Sequence, residues 1–204
     1  MLLYDAAKDP NKRVKLSTTS DITKTSVDTK NILEVVDKRL ELNGKGSMQG
    51  TLNNGQLEVE MDVTLPNGRH LVYKGKRNSV KKDTKYDIQV ASKLTDYEQK
   101  GGPSRSLSYN GNVQDLDVNA ITFQGNGQLK FVNKNGNDVQ ISVIGKNLNL
   151  PDNKKQREVN IELGGSSIPK KLQFQYRNQG SDNEGSHNVK SSFGDDVSLM
   201  VRNY

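Results

Sequence analysis

Cysteine and tryptophan are absent from this 204-residue chain, and it holds only four phenylalanines, four alanines and five prolines. Without cysteine there is no disulfide framework, no thiolate metal site and no cysteine nucleophile. So few alanines remove the best helix former and argue against a helical bundle. The scarcity of phenylalanine and tryptophan withholds the large aromatic anchors that sandwich cores usually use. Long apolar runs are missing too, so no segment reaches the roughly 20 residues that a membrane-spanning helix needs. Apolar residues make up 31% of the chain, which points to a shortage of material for a core. Disorder is not the default, however, because Leu, Ile, Val and Phe still number 49 of 204 residues.

What is present is alternation. Gln56 to Leu65 reads QLEVEMDVTL and puts Leu57, Val59, Met61, Val63 and Leu65 on one side of an extended strand, with Glu58, Glu60, Asp62 and Thr64 on the other. A helix would scatter these side chains around its circumference. Shorter copies recur at Val14/Leu16, Tyr86/Ile88/Val90, Val139/Ile141/Val143, Val159/Ile161/Leu163, Leu172/Phe174/Tyr176 and Val197/Leu199/Val201. A phase slip between Leu116/Val118/Ala120 and Ile121/Phe123 suggests a bulge or bend. Residues 31–42 admit a helix face (Leu33, Val36, Leu40) or two short strands around Asp37-Lys38, and the strands on either side favour the second.

Asn-Gly pairs occur at 43–44, 54–55, 67–68, 110–111, 126–127 and 135–136, and such pairs favour tight hairpin turns. Pro66-Asn67-Gly68-Arg69 and Lys134-Asn135-Gly136-Asn137 are the clearest examples, preceded by the local echo NGQLEV at 54–59 and NGQLKF at 126–131. Residues 100–104 and 179–186 read as loops too short for interdomain linkers. The expectation is an all-β, antiparallel meander of amphipathic strands over 1–204, a single sheet region of a longer chain. Each strand has one wet face and one dry face, and the dry face needs a cover. A second sheet of the same chain would make a sandwich or barrel. Otherwise neighbouring domains of a larger protein, or lipid, would supply it.

Candidate chemistry is sparse. His70 opens a strand and His187 follows a polar loop, both reading as exposed bystanders. Asp195-Asp196 beside Gly194 reads as a turn, and no metal-ligand spacing or other cofactor motif occurs. Gly44-Lys45-Gly46-Ser47 lacks both the Lys-Ser/Thr step and the earlier glycine of a phosphate loop, and reads as a hairpin connection. Enzymatic function is therefore not expected. The basic groups Lys74/Lys76/Arg77, Lys81-Lys82, Lys154-Lys155 with Arg157, and Lys170-Lys171 are interleaved with acids, and the net charge is +6. They read as a solvated outer face that guards sheet edges, with anionic headgroups or sugars as the next choice and nucleic acid disfavoured. Met1-Leu2-Leu3-Tyr4 runs directly into Asp5, so no signal peptide is read there; a cytosolic protein and an internal segment of a longer chain both fit.

The stretches LEVEMDVTLPNGRHLVYKGK (57–76), GQLKFVNKNGNDVQISVIGKNLNLP (127–151) and REVNIELGGSSIPKKLQFQYRN (157–178) resemble the β-sheet region of large lipid transfer proteins, the apolipophorin, vitellogenin and apolipoprotein B group. More narrowly, the texture is similar to apolipophorin-like high-molecular-weight allergens of mites. The resemblance implies a secreted segment that lines a lipid cavity, carries lipid without catalysis and, for the allergens, binds IgE. Acyl chains, anionic headgroups and neighbouring domains would be its partners. Leu57, Val59, Met61, Val63, Leu65, Val139, Ile141, Val143, Leu172 and Phe174 are the candidates for the lipid-facing side. The competing reading is a self-contained β-sandwich, a structural or adhesive module of an extracellular surface protein.

Overall fold

A computed structural model describes residues 2–4, 14–35, 38–98, 102–181, 185–194 and 197–203. The described residues form fourteen strands: β1 (Leu2–Tyr4), β2 (Val14–Ile22), β3 (Ser26–Val35), β4 (Lys38–Gly50), β5 (Gly55–Thr64), β6 (His70–Lys82) and β7 (Lys85–Tyr97) in the first half. The second half holds β8 (Pro103–Asp117), β9 (Thr122–Val132), β10 (Asp138–Asn149), β11 (Lys155–Gly164), β12 (Leu172–Gly180), β13 (Gly185–Phe193) and β14 (Val197–Asn203). They make one sheet in strict chain order, each strand antiparallel to the next. The all-β meander expected from the alternation is thus the fold, and no helix occurs among the described residues. Residues 31–42 divide between β3 and β4; Val36 and Asp37 lie outside the described residues.

The twin turns form as their sequences require. Leu65 N–H donates to the Arg69 carbonyl at 2.8 Å, Gly68 adopts φ 77°, and the Asn67 side chain accepts from the Arg69 N–H at 3.1 Å. The second turn repeats this with Asn133 N–H to the Asn137 carbonyl at 2.9 Å and Gly136 at φ 81°. Left-handed backbone of this kind suits glycine because no Cβ meets the neighbouring carbonyl.

Three other Asn-Gly pairs do not turn at all. Asn43-Gly44 lies within β4, Asn110-Gly111 within β8 and Asn126-Gly127 within β9. Gly44-Lys45-Gly46-Ser47 is likewise mid-strand in β4 rather than a connection. Strand glycines serve packing instead: a Cβ at Gly111 would run into the Tyr109 hydroxyl, one at Gly127 would stand 3.2 Å from it, and outside these pairs one at Gly75 would stand 2.7 Å from the Tyr73 hydroxyl and one at Gly145 3.3 Å from the Phe123 ring. Aromatic side chains reach over these glycines and occupy the space a side chain would take. Asn54-Gly55 sits where the 51–54 bend enters β5, with Thr51 N–H donating to the Asn54 carbonyl at 3.0 Å.

The other loop expectations shrink. Ser104 is already buried within β8, donating to the Asp96 carbonyl at 3.2 Å. Gln179 and Gly180 end β12 and Ser186 belongs to β13, leaving 182–184 outside the described residues. The phase slip near 116–123 is a register shift between Gln114 and Asp117 followed by a turn over 118–121, with Asp115 and Ile121 at positive φ. Asp195-Asp196 lies outside the described residues.

No second layer exists among the described residues: no hydrophobic side chain is buried, and the buried residues are Gly164 and the polar Ser79, Thr95, Asp96 and Ser104. The sandwich expectation therefore fails here, because a single sheet offers each side chain lateral neighbours but no opposing face.

Candidate lipid-facing sheet surface

Residues directly opposite across an antiparallel ladder point to the same side of the sheet. The register turns this rule into long apolar rows. One row runs Met61, Tyr73, Leu94, Leu107, Phe131, Val139 from β5 to β10. A second runs Tyr109, Leu129, Ile141, Leu163, Leu172, Phe193 from β8 to β13. On the same side Gly127, Val143, Ile161 and Phe174 succeed one another, as do Leu42, Val63 and Leu71. The fall in hydropathy from one face to the other is thus continuous over β2 to β13 rather than local to one hairpin.

Of the ten candidate residues, nine lie on one side of the sheet: Leu57, Val59, Met61 and Val63 on β5, Val139, Ile141 and Val143 on β10, Leu172 and Phe174 on β12. Leu65 falls one residue past β5, in the turn. Many members of this surface remain open to solvent, with Met61 41%, Phe131 42% and Phe174 41% exposed. The alternation marked only part of it. Tyr73, Leu94, Leu107, Tyr109 and Leu129 were missed as members because glycines and serines interrupt their strands; only the cross-strand register joins them.

The opposite side is charged. Lys15 meets Glu34 at 3.4 Å, Lys76 meets Glu58 at 3.0 Å, Lys74 meets Glu60 at 3.0 Å, and Lys171 meets Glu162 at 2.7 Å. Glu41 accepts from Lys30 and Arg39, and these contacts, with Asn43, hold its carboxyl down at about 2. Asp138 is held well below the usual carboxylate range by the Ser166 hydroxyl, then Lys130 and the Ser166 N–H. Val72, Val80 and Ile144 are apolar exceptions on this side.

The basic groups read from the sequence are accordingly split. Lys74 and Lys76 pair with acids on the charged side, whereas Arg77 lies on the apolar side between Leu57 and Val90. Lys82 reaches Asp87 at 3.4 Å, and Lys81 and Lys170 stand over the Tyr86 and Phe193 rings at 5.3 and 5.9 Å. Arg157 opposes Asn147 and Asn178 towards the strand ends, Lys154 is exposed beside Lys155, and Lys171 pairs with Glu162.

Two hollows mark the two faces. The larger, about 1050 Å³, lies mainly on the charged side and is lined by Asp28, Lys45, Glu60, Lys74, Lys93 and Lys130. Its cations are largely matched by partners (Lys45 to Asp28 at 3.7 Å, Lys130 to Asp138 at 2.9 Å), so size alone does not make it a site. The smaller, about 310 Å³, lies on the apolar side between Ile161, Leu163, Leu172, Phe174 and Phe193.

Among the described residues that line the two hollows there is no histidine. His70 Nδ1 stands 3.1 Å from Asp62 Oδ1 beside the Tyr97 ring, and His187 lies against Tyr176 and Asn178. Among the described residues no three His, Cys, Asp or Glu side chains converge to hold a metal ion.

No family model matches the chain, and no solved structure matches it. Curated proteins do. The chain is 27% identical to apolipophorins of Manduca sexta over 206 residues, covering 98% of this chain and 6% of that protein. It is 28% identical to apolipophorins of Locusta migratoria over 149 residues (72% and 4%) and 25% identical to those of Drosophila melanogaster over 173 residues (82% and 5%). The chain thus spans about a twentieth of the length of the relatives it matches. These homologues support the large lipid transfer group to which the sequence resemblance pointed.

Proposed function

We propose that this chain is a lipid-binding, non-enzymatic segment of a secreted, apolipophorin-like carrier, whose apolar face lies against acyl chains. One observation carries the reading: the apolar face spans twelve consecutive strands, and not one described hydrophobic side chain is buried. Such a surface exceeds what a stable water-facing sheet tolerates. Acyl chains can cover it without rearranging the sheet, because the ladder already satisfies the backbone groups that hydrocarbon cannot. The similarity to apolipophorins along nearly the whole chain agrees with this function.

The charged side then faces water, its lysines and carboxylates held in short pairs. The proposal extends to an extracellular location, and to coverage by neighbouring sheets of a parent polypeptide where lipid is absent. IgE binding rests on the likeness to mite allergens alone. The sandwich module is disfavoured, because its defining feature is a closed core between two sheets.

Native mass spectrometry of the chain expressed in a lipid-containing host tests the reading. Copurifying lipid, displaced by detergent, is the expected result. A lipid-free monomer that binds no hydrophobic dye and unfolds cooperatively would overturn it.

A further inference from the structure

Arg77 is out of place. It lies mid-strand in β6, on the apolar side, flanked across the ladder by Leu57 and Val90. Its Nε is buried without a hydrogen-bond partner, and no ion pair joins it to a described residue. The residue as a whole is half-buried, and a guanidinium carries five donors in a planar fork and no acceptor, so Arg77 keeps donors open to an arriving anion.

The Arg77 side chain lines a small hollow with Met48, Thr51, Leu52, Gln56 and Leu57, and two phenols lie further along the same side of the sheet. The tip of Tyr73 lies over Gly75, between Tyr73 and Arg77 on one strand face. Tyr109 lies over Gly111 and Gly127, and Gly111 shares its cross-strand row with Val90 and Arg77, two strand spacings or roughly 10 Å away. Ser92 sits between Gly75 and Tyr109. Neither phenol, nor Ser92, hydrogen-bonds to a described residue through its side chain. The apolar face therefore carries a few donors among Leu57, Val90, Leu94, Leu107 and Leu129, and Arg77 is the cationic one.

We infer that Arg77 holds the carboxylate of a long-chain fatty acid while its acyl chain lies on the surrounding leucines and valines. The planar fork suits a planar carboxylate, which accepts two parallel N–H bonds. A free carboxylate also ends the molecule. A phospholipid would have to place the remainder of its polar headgroup against leucine. This assignment rests on the lipid-binding reading above and gives it a ligand class and an orientation.

The test compares oleate with methyl oleate, which has the same chain and no charge, by titrating each into the 204-residue chain. Wild type is expected to favour oleate by about tenfold or more, the size of a charge-assisted hydrogen bond. Arg77→Gln should abolish that preference while leaving methyl oleate binding unchanged, Arg77→Lys should restore part of it, and Tyr109→Phe, two strand spacings away, should leave it in place. Lys93→Gln, across the sheet, should change nothing, which separates a local anchor from the general field of the +6 chain. Equal affinity of wild type for the two ligands overturns the anchor alone, and so does an equal loss on Lys93→Gln. An Arg77-dependent preference for phosphatidic acid vesicles with none for oleate also overturns it. Failure to bind either fatty ligand overturns the lipid-binding reading itself.

Discussion

Arg69 in the β5–β6 turn and Asp96 near the end of β7 form a two-pronged pair, with Nε donating to Oδ1 at 2.6 Å and Nη2 to the other carboxylate oxygen. Asp96 is buried, also faces Arg105 across β7 and β8, and has its pKa lowered first by the Arg69 hydrogen bonds. The pair ties one turn to the strand beyond its own hairpin. Asp96→Asn should therefore loosen turn 66–69 before the neighbouring strands, and amide exchange at Leu65, whose N–H is bonded to Arg69, should rise. Unchanged protection at Leu65 would show that the turn holds itself.

Acid should act on the charged side. Glu41 lies at about 2 in the folded chain against an ordinary 4.5, because Lys30 and then Arg39 hydrogen-bond its ionised form. A carboxylate with a lowered folded value stabilises the fold fully above its unfolded value, and this contribution is lost as pH falls through the folded one. The β3–β4 ladder is therefore expected to weaken between about pH 4.5 and pH 2, and Glu41→Gln to remove most of that local response. Residue-resolved amide exchange across that window is the measurement.

Face identity gives a sharper contrast. Val143 and Ser142 are neighbours on β10 that point to opposite sides. Val143→Lys should cost about 2–4 kcal/mol of lipid association, as a lysine set against hydrocarbon does on other lipid-facing strands. Ser142→Lys, beside Glu162, should leave association nearly unchanged. Vesicle partitioning of the two variants decides it, and equal losses would mean that lipid does not contact this face.

The strand glycines predict a different cost from the turn glycines. A Cβ at Gly125 would lie 2.6 Å from the Asn112 carbonyl oxygen, so Gly125→Ala forces backbone movement and should cost about 1–3 kcal/mol. Gly136→Ala meets no atom and should cost about 1–2 kcal/mol through its left-handed backbone alone. Denaturant titration of both variants separates the two mechanisms: Gly136→Asn should recover most of the loss, and Gly125→Asn none.

Strand identity was legible in the sequence because alternation has a period of two and little else produces it over ten residues, as at 56–65. The wet and dry sides of β5, β10 and β12 were legible for the same reason. Register was not. Asn-Gly encodes a turn only where the flanking strands end, and at 110–111 and 126–127 the strands continue because Tyr109 lies over both glycines. Arg77 looked like one of three neighbouring cations, yet alternation sends it away from Lys74 and Lys76. Its isolation became visible only once β5 and β7 placed Leu57 and Val90 beside it.

The strand order has a mechanical consequence. Since every strand is bonded only to its predecessor and successor in the chain, hairpins can be added or removed without rethreading anything. Each added pair widens the ribbon by roughly 10 Å. A polypeptide built this way can widen or narrow its apolar face by the gain or loss of short units.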